Sequence, residues 1–227
     1  MKLRLIVAVL GILLLASQLY AEEALKSQKE KMSYIIGMDI GKNLKTQSID
    51  VDANVLAKGI KDALTGGKSL LTDQEIRDTT AAFQKEMVTK QQALGEKNKK
   101  EGEAYLAENK KKKGTVTLPS GLQYKVIKAG TGKKPKPTDT VTVQYKGTLI
   151  DGTEFDSSYR RGQPATFPAN GVIPGWTEAL GLMQEGAKWQ LFIPSNLAYG
   201  EKGAGGQIGP NATLIFEVEL VSVQEKK

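Results

Sequence analysis

An acidic side chain lies close to aromatic residues in the stretch 141–158, VTVQYKGTLIDGTEFDSS. Apolar and polar residues alternate around Tyr145, which predicts a half-buried strand. The Asp-Gly pair at 151–152 predicts a two-residue hairpin turn, because both residue types tolerate positive φ. The returning strand then brings Phe155 and Asp156 near Tyr145. This acid either belongs to a pocket with aromatic walls or caps the serine pair that follows it, and the stretch alone leaves both interpretations open.

The composition excludes the common catalytic nucleophiles and bases. The chain of 227 residues contains neither histidine nor cysteine, so Ser-His-Asp and Cys-His catalysis are excluded, as are the commonest zinc ligands. Chemistry must rest on hydroxyls, carboxylates, lysines or binding alone, and we expect no metal and no cofactor. The net charge of +7 is concentrated in local lysine groups such as 110–113. No aromatic residues interleave with these lysines, which favours a solvated surface over nucleic-acid binding.

Three further motifs follow the acidic hairpin. VIPGW at 172–176 leads into a short helical pattern at 177–183, and AYG at 198–200 opens a glycine-rich loop. The alternation in ATLIFEVELVSV, 212–223, predicts a strand. Together with VxYxGxLxDGxxFDSS, these motifs resemble the FKBP-type peptidyl-prolyl isomerases, over 114–227. With its N-terminal half included, the chain is similar to the macrophage infectivity potentiator (Mip-like) subfamily of bacterial envelope isomerases.

The resemblance implies an α+β fold in three parts. An all-helical N-terminal dimerisation domain occupies 22–71, and a long connecting helix occupies 72–113. An FKBP-like antiparallel β half-barrel wrapped around a short helix occupies 114–227. Because 114–227 holds every pocket residue, we expect it to fold alone.

The resemblance also implies a substrate pocket, although for each aromatic residue a purely structural role stays open. Trp176 would form the floor under the proline ring. The backbone N–H of Ile173 and the hydroxyl of Tyr199 would bind substrate carbonyls, and Asp156 would tune the rim electrostatically. The catalytic residues so implied are Asp156, Tyr199, Tyr145 and Phe155; the substrate-binding residues are Phe167, Val172, Ile173, Trp176, Ile208 and Phe216.

Two alanines depart from the pattern of many eukaryotic relatives. Ala165 stands where those relatives carry an aromatic residue, and Ala204 stands where they carry a histidine. We expect activity to be kept and the preference for the residue before proline to shift.

The first residues have the layout of a secretory signal peptide at 1–21. Lys2 and Arg4 precede an apolar run at 5–15, and a small residue ends the cleavage region. A membrane anchor is the alternative, but the run is short for a span of roughly 20 residues. We expect export to the periplasm, the outer membrane or the cell surface of a Gram-negative bacterium.

Helical periodicity is predicted at 31–47 and 52–64. In the first helix Ser33, Gly37 and Gly41 recur every four residues, which indicates close approach of a second backbone. Two such helices give too few apolar positions to close a core, and a second copy of the chain is the simplest partner surface. Packing within one monomer is the alternative. The sequence therefore predicts a homodimer.

A capping box at 72–75 begins a long helix at 72–113. Apolar positions thin out after Leu94, so the second half is predicted to be a solvent-exposed rod. Gly95 and Gly102 are predicted as weak points where it can bend. Strands are predicted at 115–118, 121–128 and 186–194.

We therefore expect a peptidyl-prolyl cis-trans isomerase that assists the folding of exported proteins, with unfolded or prolyl-containing clients and FKBP-class macrolide inhibitors as partners. Catalysis would be non-covalent, in an apolar aromatic pocket. A dimeric chaperone with isomerisation secondary is an alternative, and a virulence role on a host surface rests on analogy alone.

Overall fold

The computed structural model describes residues 25–225, so the predicted signal peptide lies outside the described residues. The chain divides into two compact units after Ile60. Within 25–225, no helix is long and apolar enough to cross a membrane.

The first unit contains helix α1, Gln28–Thr46, and the beginning of helix α2, Ala53–Thr65. Ser27 and Glu30 form a capping box at the start of α1. The Ser27 side chain accepts the backbone N–H of Glu30, and the Glu30 side chain accepts the backbone N–H of Ser27. Neither helix contains a buried residue. Both predicted helices are thus present, and their apolar side chains are left uncovered in a single chain.

The second unit begins with the remainder of α2 and continues with helix α3, Asp73–Asn109. The predicted capping box is present: Thr72 Oγ1 accepts the Glu75 N–H at 3.2 Å, and Glu75 accepts the Thr72 N–H at 2.8 Å. No proline interrupts the following 37 residues, so the helix runs unbroken.

The prediction of a solvent-exposed second half for α3 is wrong. Gly95, Gly102 and Asn109 are buried, and they face the C-terminal part of the unit. A Cβ built on Gly102 would lie 2.2 Å from Thr213 Oγ1, so glycine serves close packing here rather than bending. Apart from Leu94 and Tyr105, the docked face consists mainly of small and polar residues, which an analysis of apolar periodicity does not detect.

Seven strands of the part of the chain that the structure describes form one antiparallel sheet with the order β1-β2-β6-β7-β3-β4, and β5 pairs with the first half of β3 on the same side as β4. This is the predicted half-barrel. The strands are β1 Thr115–Thr117, β2 Gln123–Lys128, β3 Thr140–Leu149, β4 Glu154–Ser157, β5 Ala165–Pro168, β6 Lys188–Ile193 and β7 Leu214–Gln224.

The sheet wraps around the short helix α4, Pro174–Leu182. Alternate residues of β3, including Val141 and Val143, are fully buried, and they belong to one apolar cluster with Ala179 and Leu180 of α4. On β6, Leu191 joins this cluster, while its neighbour Phe192 points to the opposite face. Phe192 is nevertheless only 3% exposed, and the Tyr105 ring of α3 lies 6.2 Å from its ring.

The turn between β3 and β4 differs from the predicted two-residue hairpin. The Gly152 N–H donates to the Leu149 carbonyl at 3.0 Å, and the Leu149 N–H donates to the Thr153 carbonyl at 2.9 Å. Gly152 has a φ of +88°, whereas Asp151 is not among the residues with positive φ. The connection is therefore a three-residue loop ending in a left-handed glycine, because Asp151 instead accepts the Thr153 N–H at 2.9 Å.

Candidate functional site

The site is built on the inner face of β3. Tyr145 is 6% exposed and projects from this face. Two positions later, Gly147 lies against the rings of Phe155 and Phe216, since a Cβ there would stand 2.7 Å from both rings. The glycine therefore makes room for two aromatic walls beside Tyr145.

The first turn of α4 places Trp176 at the floor of the cavity. Ile173 is the N-cap and Pro174 occupies the first turn, where its missing N–H costs nothing. Gly175 packs against Ile193, at a distance of 2.5 Å for a Cβ, which lets α4 approach the sheet closely. Trp176 is consequently 4% exposed beneath the cavity.

Three aromatic rings contact Trp176 edge to face, and a fourth ring, that of Phe155, contacts one of the three. The Trp176 ring lies 5.2 Å from Tyr145, 5.2 Å from Phe216 and 6.3 Å from Phe167, at interplanar angles of 84° to 90°. Phe155 meets Phe216 at 5.4 Å and 84°. These edge-to-face contacts hold the rings at fixed angles and leave an apolar hollow above the indole.

One ionised network borders this hollow. The Tyr145 hydroxyl donates a hydrogen bond to Asp156, and the Arg161 guanidinium forms an ion pair with the same carboxylate. Arg161 Nη2 also donates to the Tyr145 hydroxyl at 2.7 Å, and the guanidinium lies 5.3 Å from the centre of the Tyr145 ring. Asp156 accepts the Ser157 N–H at 2.8 Å as well, so the pocket and capping interpretations of this acid both hold.

The network keeps the carboxylate charged and the phenols neutral. Burial raises the pKa of Asp156, but the hydrogen bonds from Tyr145 and Arg161 and the Arg161 charge lower it, and its pKa lies below the usual range. Burial raises the pKa of Tyr145, and so does its hydrogen bond to Asp156. Burial and the Asp156 charge also raise the pKa of Tyr199. At neutral pH the site therefore offers one anion and two hydroxyls.

A glycine-rich loop forms the remaining wall. Tyr199 begins it and is 41% exposed, while Ile208 near its end is 8% exposed. Ala204 and Ile208 exchange backbone hydrogen bonds of 2.8 and 3.0 Å, which closes the loop on itself. Ala204 itself lines the cavity.

The resulting cavity encloses about 790 Å³, within the range of small-molecule and peptide sites. It brings together all ten residues that the sequence predicted, while their catalytic and binding roles stay predictions. The lining residues are Tyr145, Phe155, Asp156, Phe167, Val172, Ile173, Trp176, Tyr199, Ile208 and Phe216, together with Gly171, Ala204, Gly205 and Gln207.

Arg161 is the residue that the sequence analysis missed. It follows Asp156 by five positions, after the turn at the end of β4, and no periodic pattern marks it. Its signal is the pair of arginines that follows the FDSS motif after Tyr159, since a partly buried carboxylate among aromatic rings needs a partner. The partner also orients Tyr145.

Comparison with known proteins gives the family. The profile of the FKBP-type peptidyl-prolyl cis-trans isomerase domain matches 131–221, and that of the domain amino-terminal to it matches 29–126. The outer membrane protein MIP of Legionella longbeachae is 50% identical, over 99% of this chain and 99% of that protein. The chain belongs to the FKBP-type peptidyl-prolyl cis-trans isomerases.

Two further comparisons cover most of this FKBP-type isomerase. The peptidyl-prolyl cis-trans isomerase Mip of Coxiella burnetii is 46% identical, over 98% of this chain and 99% of that protein. The crystal structure of FkpA from Escherichia coli superposes with a TM-score of 0.63 at 42% identity, over 88% of this chain and 99% of that chain. The helical N-terminal region and the sheet domain thus occur together in a solved relative.

Proposed function

We propose that this isomerase uses the aromatic cavity as its active site and acts on exported protein chains. The observation that carries the proposal is the Trp176 floor enclosed by edge-to-face rings, with a single anion, Asp156, held at its border. A prolyl ring fits the apolar hollow, and the adjoining backbone lies along the polar border.

Physical chemistry explains why this cavity suffices without a nucleophile. Rotation about a prolyl peptide bond has a barrier of about 20 kcal/mol and takes tens to hundreds of seconds. A turnover of about 10²–10³ per second requires this barrier to be lowered by roughly 5–7 kcal/mol. The twisted imide has lost resonance and charge separation, so a dry apolar pocket favours it over the planar form. No covalent bond changes, and a chain without histidine and cysteine can perform the reaction.

Two hydrogen-bond donors are available for the flanking backbone. Among the described residues, no group accepts a hydrogen bond from the backbone N–H of Ile173, whose carbonyl caps α4 through the Trp176 N–H at 2.9 Å. The Tyr199 hydroxyl stands on the exposed wall and stays protonated, because its pKa is raised. We assign these two donors to the binding of substrate carbonyls. We assign to Asp156, together with Arg161 and Tyr145, the electrostatic potential at the border of the cavity.

We expect Asp156→Ala and Tyr199→Phe each to lower kcat/KM for a prolyl tetrapeptide about 5- to 30-fold, since each removes one or two polar contacts of about 1–2 kcal/mol. The melting temperature should change little, because both side chains are partly exposed. Tyr159→Phe is the matched control: Tyr159 is 46% exposed and does not line the cavity. Wild-type kcat/KM in both site variants would refute the assignment.

We also propose export to the bacterial envelope. The support is the signal-peptide pattern at 1–21 and the relative of Legionella longbeachae, which is named an outer membrane protein. Macrolides of the FKBP class are proposed as inhibitors, because they would occupy the same apolar hollow.

We propose that the first unit pairs with a second copy of itself. In α1, Met32, Tyr34, Ile36 and Met38 are between 43% and 59% exposed. Cβ atoms built on Gly37 or Gly41 would meet nothing within 4 Å, so the small-residue stripe is open in the single chain. By helical geometry, Met32 and Ile36 flank the glycine stripe on one side and Tyr34 and Met38 flank it on the other. These exposed apolar side chains need cover, and an identical helix with its own glycine stripe can approach closely.

Sedimentation of the chain lacking 1–21 should give about twice the monomer mass at tens of micromolar. Gly37→Glu should shift it to monomers, because a carboxylate would be buried at the helix contact. Lys42→Glu is the control, since helical geometry places Lys42 about 140° around α1 from Gly37. A monomeric wild-type protein would contradict the proposal, and so would equal dissociation by both variants.

A chaperone activity is the second candidate function. On α3, Ile76, Phe83 and Leu94 form an apolar stripe, and each is 42% to 44% exposed. Unfolded clients recognise such surfaces independently of proline.

A further inference from the structure

The loop that forms one wall of the cavity is rich in glycine, and three backbone hydrogen bonds are its internal restraint. Gly200, Gly203, Gly205 and Gly206 all have positive φ. Each glycine lets the unfolded and partly folded loop sample many conformations, so the loop pays a large entropic cost to adopt one. It nevertheless supplies Tyr199 and Ile208 to the cavity, so a contact from outside the loop that restrains it further would also hold these two side chains in place.

Helix α3 contacts the far end of this loop. Asn98 Nδ2 donates a hydrogen bond to the Pro210 carbonyl at 2.8 Å. A Cβ on Gly209 would lie 2.9 Å from Asn98 Nδ2 and 3.2 Å from Leu94 Cδ2, so the helix side chains lie directly over this glycine. Gly95 lets the backbones approach, since its own Cβ would meet Pro210 at 3.2 Å.

The contact is transmitted to the cavity over a short path. Ile208 lies two residues before Pro210 and holds Ala204 by two backbone hydrogen bonds. The next residue, Asn211, donates its N–H to the Gly200 carbonyl at 2.8 Å, directly after Tyr199. Fixing Pro210 therefore fixes both ends of the glycine segment.

We infer that α3 positions the pocket loop of the isomerase and that Asn98 is the positioning residue through which it does so. The inference rests on the proposed function, because it takes the cavity as the isomerase site. Asn98 touches no substrate. It raises the fraction of molecules whose loop is ready to bind, and the apparent dissociation constant scales inversely with that fraction.

The test is Asn98→Ala in the full chain lacking 1–21. Alanine is the better helix former, so α3 itself is preserved. Losing one hydrogen bond of about 1 kcal/mol should raise KM for a prolyl tetrapeptide about 3- to 10-fold with kcat kept. Hydrogen exchange at the amides of Ala204, Ile208 and Asn211 should accelerate by a similar factor, while exchange in β3 and β7 stays unchanged. Asn98→Asp, which keeps the size but loses the donor, should behave alike.

Asn109→Ala is the matched control. Asn109 lies on the same face of α3 and donates to Gln123 Oε1 at 3.0 Å, but this contact is on β2 and away from the loop. It should lower the melting temperature and leave KM unchanged. Wild-type KM and loop exchange in Asn98→Ala would overturn the inference. An equal rise in KM in the Asn98 and Asn109 variants would also overturn the inference. It would mean that any loss of contact between α3 and the sheet domain raises KM, without a specific role for Asn98.

Asp156→Ala, measured in parallel, separates this inference from the proposed function. If Asp156→Ala loses activity and Asn98→Ala does not, only the inference fails. If Asp156→Ala and Tyr199→Phe both keep full activity, the assignment of the cavity itself fails.

Discussion

A fragment that begins at Gly114 is expected to melt about 10–15 °C below a fragment that begins at residue 92. Both contain the whole sheet and the cavity, but only the longer one keeps the docked half of α3. Truncation at Gly114 uncovers Phe192, which Tyr105 covers in the intact unit. It also removes the hydrogen bonds of Asn98 and Asn109. Exposing a phenylalanine costs about 2 kcal/mol and each hydrogen bond about 1 kcal/mol.

These contributions sum to at most about 4 kcal/mol; partial compensation by solvent leaves an expected loss of about 2–3 kcal/mol, which at about 5 °C per kcal/mol corresponds to this shift for a domain of roughly 100 residues. Thermal unfolding of both fragments, followed by circular dichroism, measures it. Gly102→Ala in the longer fragment should reproduce much of the loss, because the new methyl group would clash with Thr213 Oγ1. Equal melting temperatures for the two fragments would contradict the expected contribution of α3 to the stability of the sheet domain, whereas a Gly114 fragment without a cooperative transition would contradict the prediction that 114–227 folds alone.

Removal of 22–68 is expected to lower the rate on a refolding protein client about 10²-fold while the rate on a prolyl tetrapeptide stays unchanged. The fragment 69–227 keeps the Thr72 cap, all of α3 and every lining residue of the cavity. A tetrapeptide reaches only the cavity. A long unfolded client can contact both pockets of the proposed dimer, and the second contact is then intramolecular, which raises apparent affinity about 10²–10⁴-fold.

The measurement is the ratio of the two activities for the chain lacking 1–21 and for the fragment 69–227. Suppression of aggregation of a proline-free client should fall in parallel. Gly37→Glu, which is expected to dissociate the dimer, provides the same comparison without truncation. If the fragment and the intact chain have equal ratios, the first unit serves only as an anchor or spacer. That result would also refute the proposed chaperone activity.

Much of the fold could be predicted because local patterns and tertiary contacts agree. Alternation along β3 and β7 predicted which residues are buried, since a strand in a one-sided sheet exposes every second side chain. The capping box at Thr72 predicted the start of α3, whereas the short helix predicted at 177–183 begins three residues earlier, at Pro174. The cavity residues were predicted as a set by resemblance, and the structure places them around one hollow.

Other features depended on contacts that no local pattern encodes. The turn at Gly152 became a three-residue loop because the Asp151 side chain binds the Thr153 N–H, which competes with the expected two-residue turn. Arg161 joined Tyr145 and Asp156 because the turn after β4 folds back over β3. A single arginine in a polar segment has no periodic signal.

The sequence by itself determined the elements, the side-chain chemistry and the family, because period-two and helical patterns are local and the motif residues stand at fixed spacings. Only the tertiary structure decided what α3 does. Asn98 and Pro210 are 112 residues apart, and their contact depends on the shapes of a helix and a loop that glycines bring together. Small residues such as Gly95 and Gly102 and polar residues such as Asn98 allow close approach with little apolar burial. The second half of α3 is therefore predicted to be solvent-exposed when the sheet domain against which it packs is not considered.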